Sequence, residues 1–294
     1  MNIYEMLFLI TMGFALKKIL KEDKPFIWLK ELSNNFLLTL FVFSNVASKD
    51  LAYLLRIKIV FIYVFLVIGL SLVASYLYGL KLKDEKWRGA LIILSIYPNT
   101  VALGFPIASL FLKDLTPVIL YASTNTLIVL PVATFIAAHY STGGASLKES
   151  LLKALKFPPT SANLLALALV LLGIRLPDGF LTLLNKIGWW SIPALLIYFG
   201  SRINLQKFEW RKLGEVGLFR VAVPFLFVFL TLNSPREIFY AILVEASMPP
   251  AIMANAILAR YRLREEEAIG VTVILTLLVL TLFLVLKALI SVNF

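Results

Sequence analysis

The chain has 294 residues, of which 60% are apolar and only 15% are charged. Soluble domains average about 45–50% apolar and about 25% charged residues, so this composition excludes a soluble globular protein, a disordered chain and a fibrous repeat. It predicts an all-α polytopic membrane protein, because a spanning helix needs about 20 apolar residues. No room is left for a soluble catalytic domain.

The chain has no cysteine and a single histidine, His139. Disulfides, thiolate metal sites and cysteine nucleophiles are therefore excluded, and a histidine-based metal cluster is not expected. No span region holds a catalytic dyad, so we predict no catalytic residue and no enzyme. The net charge of +11 is expected to lie in loops that face anionic lipid, and nucleic acid is not expected as a partner.

Apolar runs bounded by charged residues predict ten membrane spans in chain order. The first run is short, and we interpret it as a retained helix because it lacks the basic region and cleavage site of a signal peptide. The predicted spans are residues 6–16, 32–47, 57–80, 89–112, 116–140, 159–174, 181–200, 213–232, 237–259 and 268–290.

The loops after the odd-numbered spans, which we call the basic loops, carry 19 of the 28 lysines and arginines. The opposite loops carry eight. By the positive-inside rule the basic loops are cytoplasmic. We therefore predict a multi-pass protein of the plasma (inner) membrane with both termini outside.

Prolines interrupt the fourth and ninth predicted spans at matching positions. Pro98 and Pro249 are 151 residues apart, Pro250 follows directly, and the same offset superposes the other spans. Because each copy holds five spans, the two copies have opposite orientations, which is typical of secondary transporters. The predicted domains are a first repeat at 1–140 (spans 1–5), a cytoplasmic linker at 141–158 and a second repeat at 159–294 (spans 6–10).

A proline inside a span removes a backbone donor, and the freed polar groups are tolerated only where they line a cavity or pack on protein. We therefore predict that spans 4 and 9 are broken helices that cross near the middle of the membrane. The N-termini of their second halves would favour an anion. The alternative is that these prolines only kink two packed helices.

Several motifs, in this order and spacing, resemble the auxin efflux carrier family, which includes the plant PIN carriers and bacterial organic-acid permeases. They are PNT at 98–100 with GFP at 104–106, KFPP at 156–159 with GIRLP at 173–177, IPA at 192–194 followed by Gly200, and ASMPP at 246–250. The resemblance covers nearly the whole chain. It implies ten helices in a 5+5 inverted repeat, as in the bile acid sodium symporters, and export or exchange of an organic anion by an elevator-type movement.

The resemblance also implies where the substrate binds. Asn99 matches the crossover asparagine that meets substrate carboxylates in the plant carriers. For Asn45 and Asn125 the alternative is a hydrogen bond between helices. The other predicted substrate residues flank the crossover or lie in spans 2, 5 and 8, and they are Pro98, Thr100, Pro249, Pro250, Ser44, Asn45, Asn125 and Arg220.

Two ionisable residues lie deep in predicted spans, Arg220 in span 8 and Glu245 in span 9. A charge at such depth costs about 2.5–3.5 kcal/mol, so each must face protein or water. One hypothesis is a structural ion pair between the two. The other is that Glu245, with Ser247 and Met248, binds a coupling cation, either a sodium ion or a proton, while Arg220 holds the substrate. No other cofactor is predicted.

The sequence favours a secondary transporter of a carboxylate and leaves two alternatives. One is a sodium-coupled, bile-acid-like symporter, and the other is a receptor or channel on the same fold that does not transport. Polar residues cluster at the two interruptions instead of forming a continuous stripe, which favours a carrier. The expected partners are a small organic anion, the lipid bilayer and, as in other family members, a second copy in a homodimer.

Overall fold

The computed structural model describes residues 3–141, 155–203 and 208–292, so most of the predicted linker lies outside the described residues. The described ranges contain helices and no strand, apart from one isolated bridge between Pro98 and Pro250. Numbered in chain order, the helices of these ranges are α1 (Ile3–Leu20), α2 (Lys24–Ala47), α3 (Leu51–Arg56), α4 (Ile59–Gly79), α5 (Glu85–Ile96), α6 (Phe105–Ala108), α7 (Thr116–His139), α8 (Pro158–Leu171), α9 (Asp178–Arg202), α10 (Trp210–Thr231), α11 (Arg236–Ala246), α12 (Ile252–Tyr261) and α13 (Glu265–Val292).

Six of the described helices are long and apolar enough to cross a membrane, namely α2, α4, α7, α9, α10 and α13. They confirm the prediction of an all-helical membrane protein. Helix α8 is apolar but has only 14 residues. Helix α2 begins at Lys24, well before predicted residue 32, because Pro25 is accepted in a first helical turn and Lys24 and Lys30 can extend toward water.

Among the described residues, three wide, π-helical turns interrupt the regular helices, at Ser33–Leu37 in α2, at Thr100–Gly104 before α6 and at Leu218–Ala222 in α10. Such turns often mark functional sites, since they displace one residue from the helical register. The second follows the interruption after α5, and the third carries Arg220.

The helices pack in two groups. In the first group α1 packs along α9, and α2 packs on both α8 and α9. In the second group α4, α5, α7 and α10 to α13 pack on one another. Helix α9 also contacts the wide turn Thr100–Gly104, and α7 contacts α2 and α8, so these surfaces join the groups.

Glycine allows α1 and α9 to touch backbone to backbone. A Cβ atom on Gly13 would lie 2.0 Å from the carbonyl oxygen of Ile197, and one on Gly200 would lie 2.0 Å from the carbonyl oxygen of Ile10. Small residues at such crossings are typical of packed membrane helices. No side chain other than hydrogen fits at these two positions without moving a helix.

Asp114 joins the two groups at the end opposite the basic loops. Its carboxylate accepts hydrogen bonds from Lys49 Nζ (2.9 Å) and Tyr53 Oη (2.6 Å), and from Thr116 Oγ1 (2.7 Å) and Thr116 N (3.0 Å). Burial alone would raise the pKa of Asp114, but the hydrogen bonds from Tyr53, Thr116 and Lys49 outweigh it and hold the pKa below its ordinary value. Thr116 Oγ1 also donates to the carbonyl oxygen of Asn45 (3.3 Å).

Candidate functional site

The two proline-containing segments lie against each other between the helices that they interrupt. The amide of Asn99 donates to the carbonyl oxygen of Pro249 (2.8 Å), and the amide of Ala251 donates to the carbonyl oxygen of Tyr97 (2.9 Å). These two bonds flank the antiparallel bridge between Pro98 and Pro250. Since neither proline can donate, the neighbouring residues supply the donors and the segments satisfy each other inside the protein.

Arg220 connects the ends of the two helices that lead into these segments. Its side chain is fully buried, and it reaches from the wide turn of α10. Nη1 donates to the carbonyl oxygen of Ser95 (2.8 Å) near the end of α5. Nε donates to Met248 O (3.1 Å), and Nη2 donates to Ala246 O, both just at or after the end of α11. The guanidinium therefore neutralises carbonyl groups at the negative ends of both helices.

Glu245 lies next to these carbonyl groups, but its carboxylate does not accept a hydrogen bond from Arg220. It is fully buried, and neither carboxylate oxygen has a hydrogen-bond partner in the part of the chain that the structure describes. Within the same residues it forms no ion pair with Arg220, whose donors described above all go to carbonyls. A Cβ atom on Gly104 would lie 2.4 Å from Glu245 Oε1, so only glycine leaves room for the carboxylate there.

Two further buried polar groups, both on α7, have no partner among the described residues. They are the hydroxyl of Tyr121 and the side-chain amide of Asn125, which lie one turn apart on α7. Tyr121 lies close enough to Glu245 and Arg220 for their charges to act on its hydroxyl group. We call Tyr121, Asn125 and Glu245 the buried polar cluster. Buried polar groups are normally hydrogen-bonded, so a cluster without partners is typical of a ligand or water site.

A cavity of about 280 Å³ lies beside the crossing segments. Asn99 and Ile252, which follow the two interruptions, lie at its inner end, and Arg202, Ala259 and Ile269 lie toward the basic loops. Helix α13 advances from Ile269 to Thr276 along the cavity, which is about 10 Å at 1.5 Å per residue. Its lining consists of Asn99, Phe199, Arg202, Ile203, Ile252, Asn255, Ala256, Ala259, Ile269, Thr272, Val273 and Thr276.

Of the predicted substrate residues, Asn99 lines this cavity and the others lie elsewhere. Ser44 Oγ and Asn45 Nδ2 donate to the carbonyl oxygen of Phe41 within α2, at 3.1 Å and 2.7 Å, and Asn185 of α9 donates to Ser44 Oγ (3.4 Å). Pro98, Thr100, Pro249 and Pro250 form the crossing itself, and Asn125 belongs to the buried polar cluster.

Of the predicted ion-coupling residues, Ser247 and Met248 are occupied by other contacts. Ser247 Oγ donates to the carbonyl oxygen of Leu243 (2.6 Å), and the carbonyl oxygen of Met248 accepts from Arg220. Glu245 thus differs from its two neighbours, because its polar atoms are free among the described residues.

The sequence predictions did not include four polar cavity residues, Arg202, Asn255, Thr272 and Thr276. Thr272 Oγ1 donates to Asn255 Oδ1 (3.3 Å), which fixes the amide at the wall of the cavity. Asn255 lies one turn beyond Ile252 on the helix that follows the second interruption. This spacing could have predicted that Asn255 lies near the crossing segments. Nothing in the sequence predicts that Arg202, at the end of α9, lies in the same cavity as Asn255 and Thr272.

Comparison with known proteins gives a consistent result. The model of a family described as Membrane transport protein matches residues 142–286. A protein of Methanocaldococcus jannaschii named as an uncharacterized transporter is 27% identical over 304 aligned positions, which cover 94% of this chain and 95% of that protein.

Proposed function

We propose that the chain is a secondary transporter of an organic anion that carries a carboxylate. The family described as Membrane transport protein matches residues 142–286, a transporter is 27% identical over 94% of the chain, and the motifs resemble those of the auxin efflux carriers. The substrate binds beside the crossing segments and moves across the membrane by an elevator-type, alternating-access mechanism. The basic loops face the cytoplasm of a cell bounded by the plasma (inner) membrane, and both termini lie outside.

The cavity beside Asn99 is the observation that carries this proposal. Its volume lies at the lower edge of small-molecule pockets, which span roughly 300–1,000 Å³. Its walls are mainly apolar, while Asn99 and Asn255 offer amide groups toward its inner end. This combination suits a small solute with an apolar body and a few polar atoms.

For the fold we propose ten spans in a 5+5 inverted repeat, in which α5 with α6 forms span 4 and α11 with α12 forms span 9. The hydrogen bonds of Asn99 and Ala251 across the antiparallel bridge support this pairing of the two interrupted segments. Helices α1, α2, α4, α7, α8, α9, α10 and α13 supply the other eight spans.

The two helix groups support the elevator part of the proposal. An elevator needs one group that stays in place and one that carries the substrate. We assign α1, α2, α8 and α9 to the fixed group, and the helices around the crossing segments to the moving group. The cavity lies between them, because α9 supplies one wall and α12 and α13 supply the other.

For the coupling ion we propose that Glu245 carries a cation, and the surrounding atoms decide how well each candidate fits. A sodium ion needs several oxygen ligands, yet the carbonyl oxygens of Ala246 and Met248 already accept hydrogen bonds from Arg220. Within the buried polar cluster, the oxygen atoms of Glu245, Tyr121 and Asn125 have no hydrogen-bond partner among the described residues. This set fits a proton on the carboxylate with less rearrangement than it fits a sodium ion.

The first test measures thermal unfolding of the purified protein with a panel of carboxylates, in sodium and in potassium. A ligand at 100 times its Kd should stabilise the protein by about 2.7 kcal/mol. We expect one or more acids to stabilise the wild type and to lose this effect in Asn99→Ala. Asn185→Ala, on α9 and outside the cavity, is the matched control and should respond like the wild type.

Two results would count against the proposal. If no carboxylate stabilises the wild type, the solute is not a carboxylate, or the protein is a receptor or channel for another ligand. If Asn99→Ala responds like Asn185→Ala, the binding site does not lie in this cavity. Exchange of the stabilising acid across liposome membranes then separates a transporter from a receptor.

A further inference from the structure

The cavity beside Asn99 has a single charged residue among its described lining residues, Arg202. This arginine is the last residue of α9 and lies where the cavity approaches the basic loops. Arg220, the cation that lies nearest to the crossing segments, is fully buried and donates to three backbone carbonyls. An anion that enters the cavity therefore meets Arg202 and does not reach the guanidinium of Arg220.

The guanidinium of Arg202 already holds a carboxylate of the protein itself. Arg202 Nη1 lies 2.9 Å from Asp23 Oδ1, and Lys17 Nζ lies 2.9 Å from the same oxygen. Asp23 belongs to the turn between α1 and α2 and does not line the cavity. The contact is exposed, at 43% of the Arg202 side chain and 52% of the Asp23 side chain.

This arrangement allows exchange of one carboxylate for another. An arginine side chain presents five N–H donors in a planar fork that matches a carboxylate, and the contact with Asp23 uses Nη1 alone. Exposed ion pairs are weak, so a second carboxylate can displace Asp23 at small cost. Asp23 also keeps the side chain of Arg202 in place at the mouth of the cavity.

We infer that Arg202 binds the carboxylate of the substrate at the mouth of the cavity, and that Asp23 occupies the guanidinium until the substrate replaces it. The apolar part of the substrate then lies between Phe199 of α9 and Ile269 and Val273 of α13, with Asn99 at its inner end. This inference rests on the proposed function, because it takes the solute to be an anion. It makes Arg202 a specificity-determining residue and Asp23 an internal competitor.

The test compares acids with their neutral counterparts. Binding of benzoate, phenylacetate, octanoate and succinate to the purified full-length chain is measured by calorimetry, each beside its primary amide. For the acid that binds the wild type best, Arg202→Gln should weaken binding about tenfold or more, because a hydrogen-bonded charge is lost. Binding of the amide should stay the same, so the preference for the acid disappears. Arg202→Lys should restore part of it.

The role of Asp23 as a competitor is tested by removing its charge. Asp23→Asn should strengthen acid binding by about two- to fivefold, the range expected for removal of an exposed ion-pair partner. Arg260→Gln changes an exposed arginine at the end of α12 that does not line the cavity, and it should bind the acid like the wild type. The unfolding temperature of each variant shows whether it is folded.

Two outcomes overturn the inference, and they differ in what else they overturn. If Arg202→Gln keeps full affinity for the acid while Asn99→Ala loses it, Arg202 is not the charge partner and the proposed function stands. If the wild type binds none of the acids better than their amides, the solute is not an anion, and the proposed function fails together with this inference.

Discussion

Two buried glutamates of this chain have opposite surroundings. Glu215 is 6% exposed, and its carboxylate accepts from Trp87 Nε1 (2.7 Å), Tyr78 Oη (3.0 Å) and Arg211 Nε (2.9 Å). Glu245 is fully buried, and its carboxylate has no hydrogen-bond partner among the described residues. Both positions carry the same group, and only one of them uses that group to hold the fold together.

The difference teaches how to separate structural from functional charge in a membrane protein. A buried carboxylate costs free energy unless it is hydrogen-bonded or neutralised. At Glu215 three donors from two neighbouring elements and its own helix meet this cost. At Glu245 the nearest cation, Arg220, is directed to backbone carbonyls, so the carboxylate remains available to a ligand from outside.

The largest effect is expected where Arg220 itself is removed. Arg220→Met leaves the carbonyl oxygens of Ser95, Ala246 and Met248 without their donor, and we expect a loss of about 3–5 kcal/mol of unfolding free energy. Thermal and denaturant unfolding in detergent measure it. Arg175→Met, at an exposed arginine, should change the stability by less than about 0.5 kcal/mol. Equal stability of the two variants would show that Arg220 does not hold the crossing segments together.

The paired variants Glu215→Gln and Glu245→Gln test the comparison directly. The amide of Gln at position 215 would place N–H groups against the donors of Trp87 or Arg211, and we expect a loss of about 1–3 kcal/mol. At position 245 no donor is displaced, so stability should change by less than about 1 kcal/mol, while the cation dependence of transport should disappear. Reversed stability effects, or unchanged cation dependence in Glu245→Gln, would contradict this assignment.

A smaller effect is expected at the hydrogen bonds of Asp114 with Lys49, Tyr53 and Thr116. The pKa of Asp114 is lower in the folded protein than in the unfolded chain, where it is about 3.9. The network therefore stabilises the fold fully above this value, and the stabilisation is lost as the pH falls through the folded pKa. Asp114→Asn should cost about 1–2 kcal/mol at pH 7 and less at pH 3. Glu31→Gln, at an exposed glutamate, should show no such pH-dependent difference.

The sequence predicted the helical class and the places where the chain is interrupted. Hydropathy and charge are local properties, so the apolar runs lie close to the observed helices, and the interruptions fall at the prolines because proline lacks a backbone donor. The sequence also predicted that Arg220 and Glu245 lie deep in the protein, because a charge within an apolar run must face protein or water. The ten-span inverted repeat stays a prediction.

The partners of these residues could not be predicted, because they depend on how helices pack. Pairing Arg220 with Glu245 was a reasonable hypothesis from charge, yet the guanidinium donates to carbonyls of Ser95, Ala246 and Met248, which have no side-chain signal. The cavity combines residues of α9, α12 and α13 with Asn99. No periodicity within one span predicts which other spans lie beside it.

The contact of Gly13 and Gly200 with the opposite backbone has a mechanical consequence. With no layer of side chains between α1 and α9 at this crossing, sliding one helix along the other would drive a carbonyl group into a backbone. The two helices therefore resist sliding and move as one rigid unit. Arg202 is the last residue of α9, so a larger residue at Gly13 or Gly200 would shift the position of Arg202 at the mouth of the cavity.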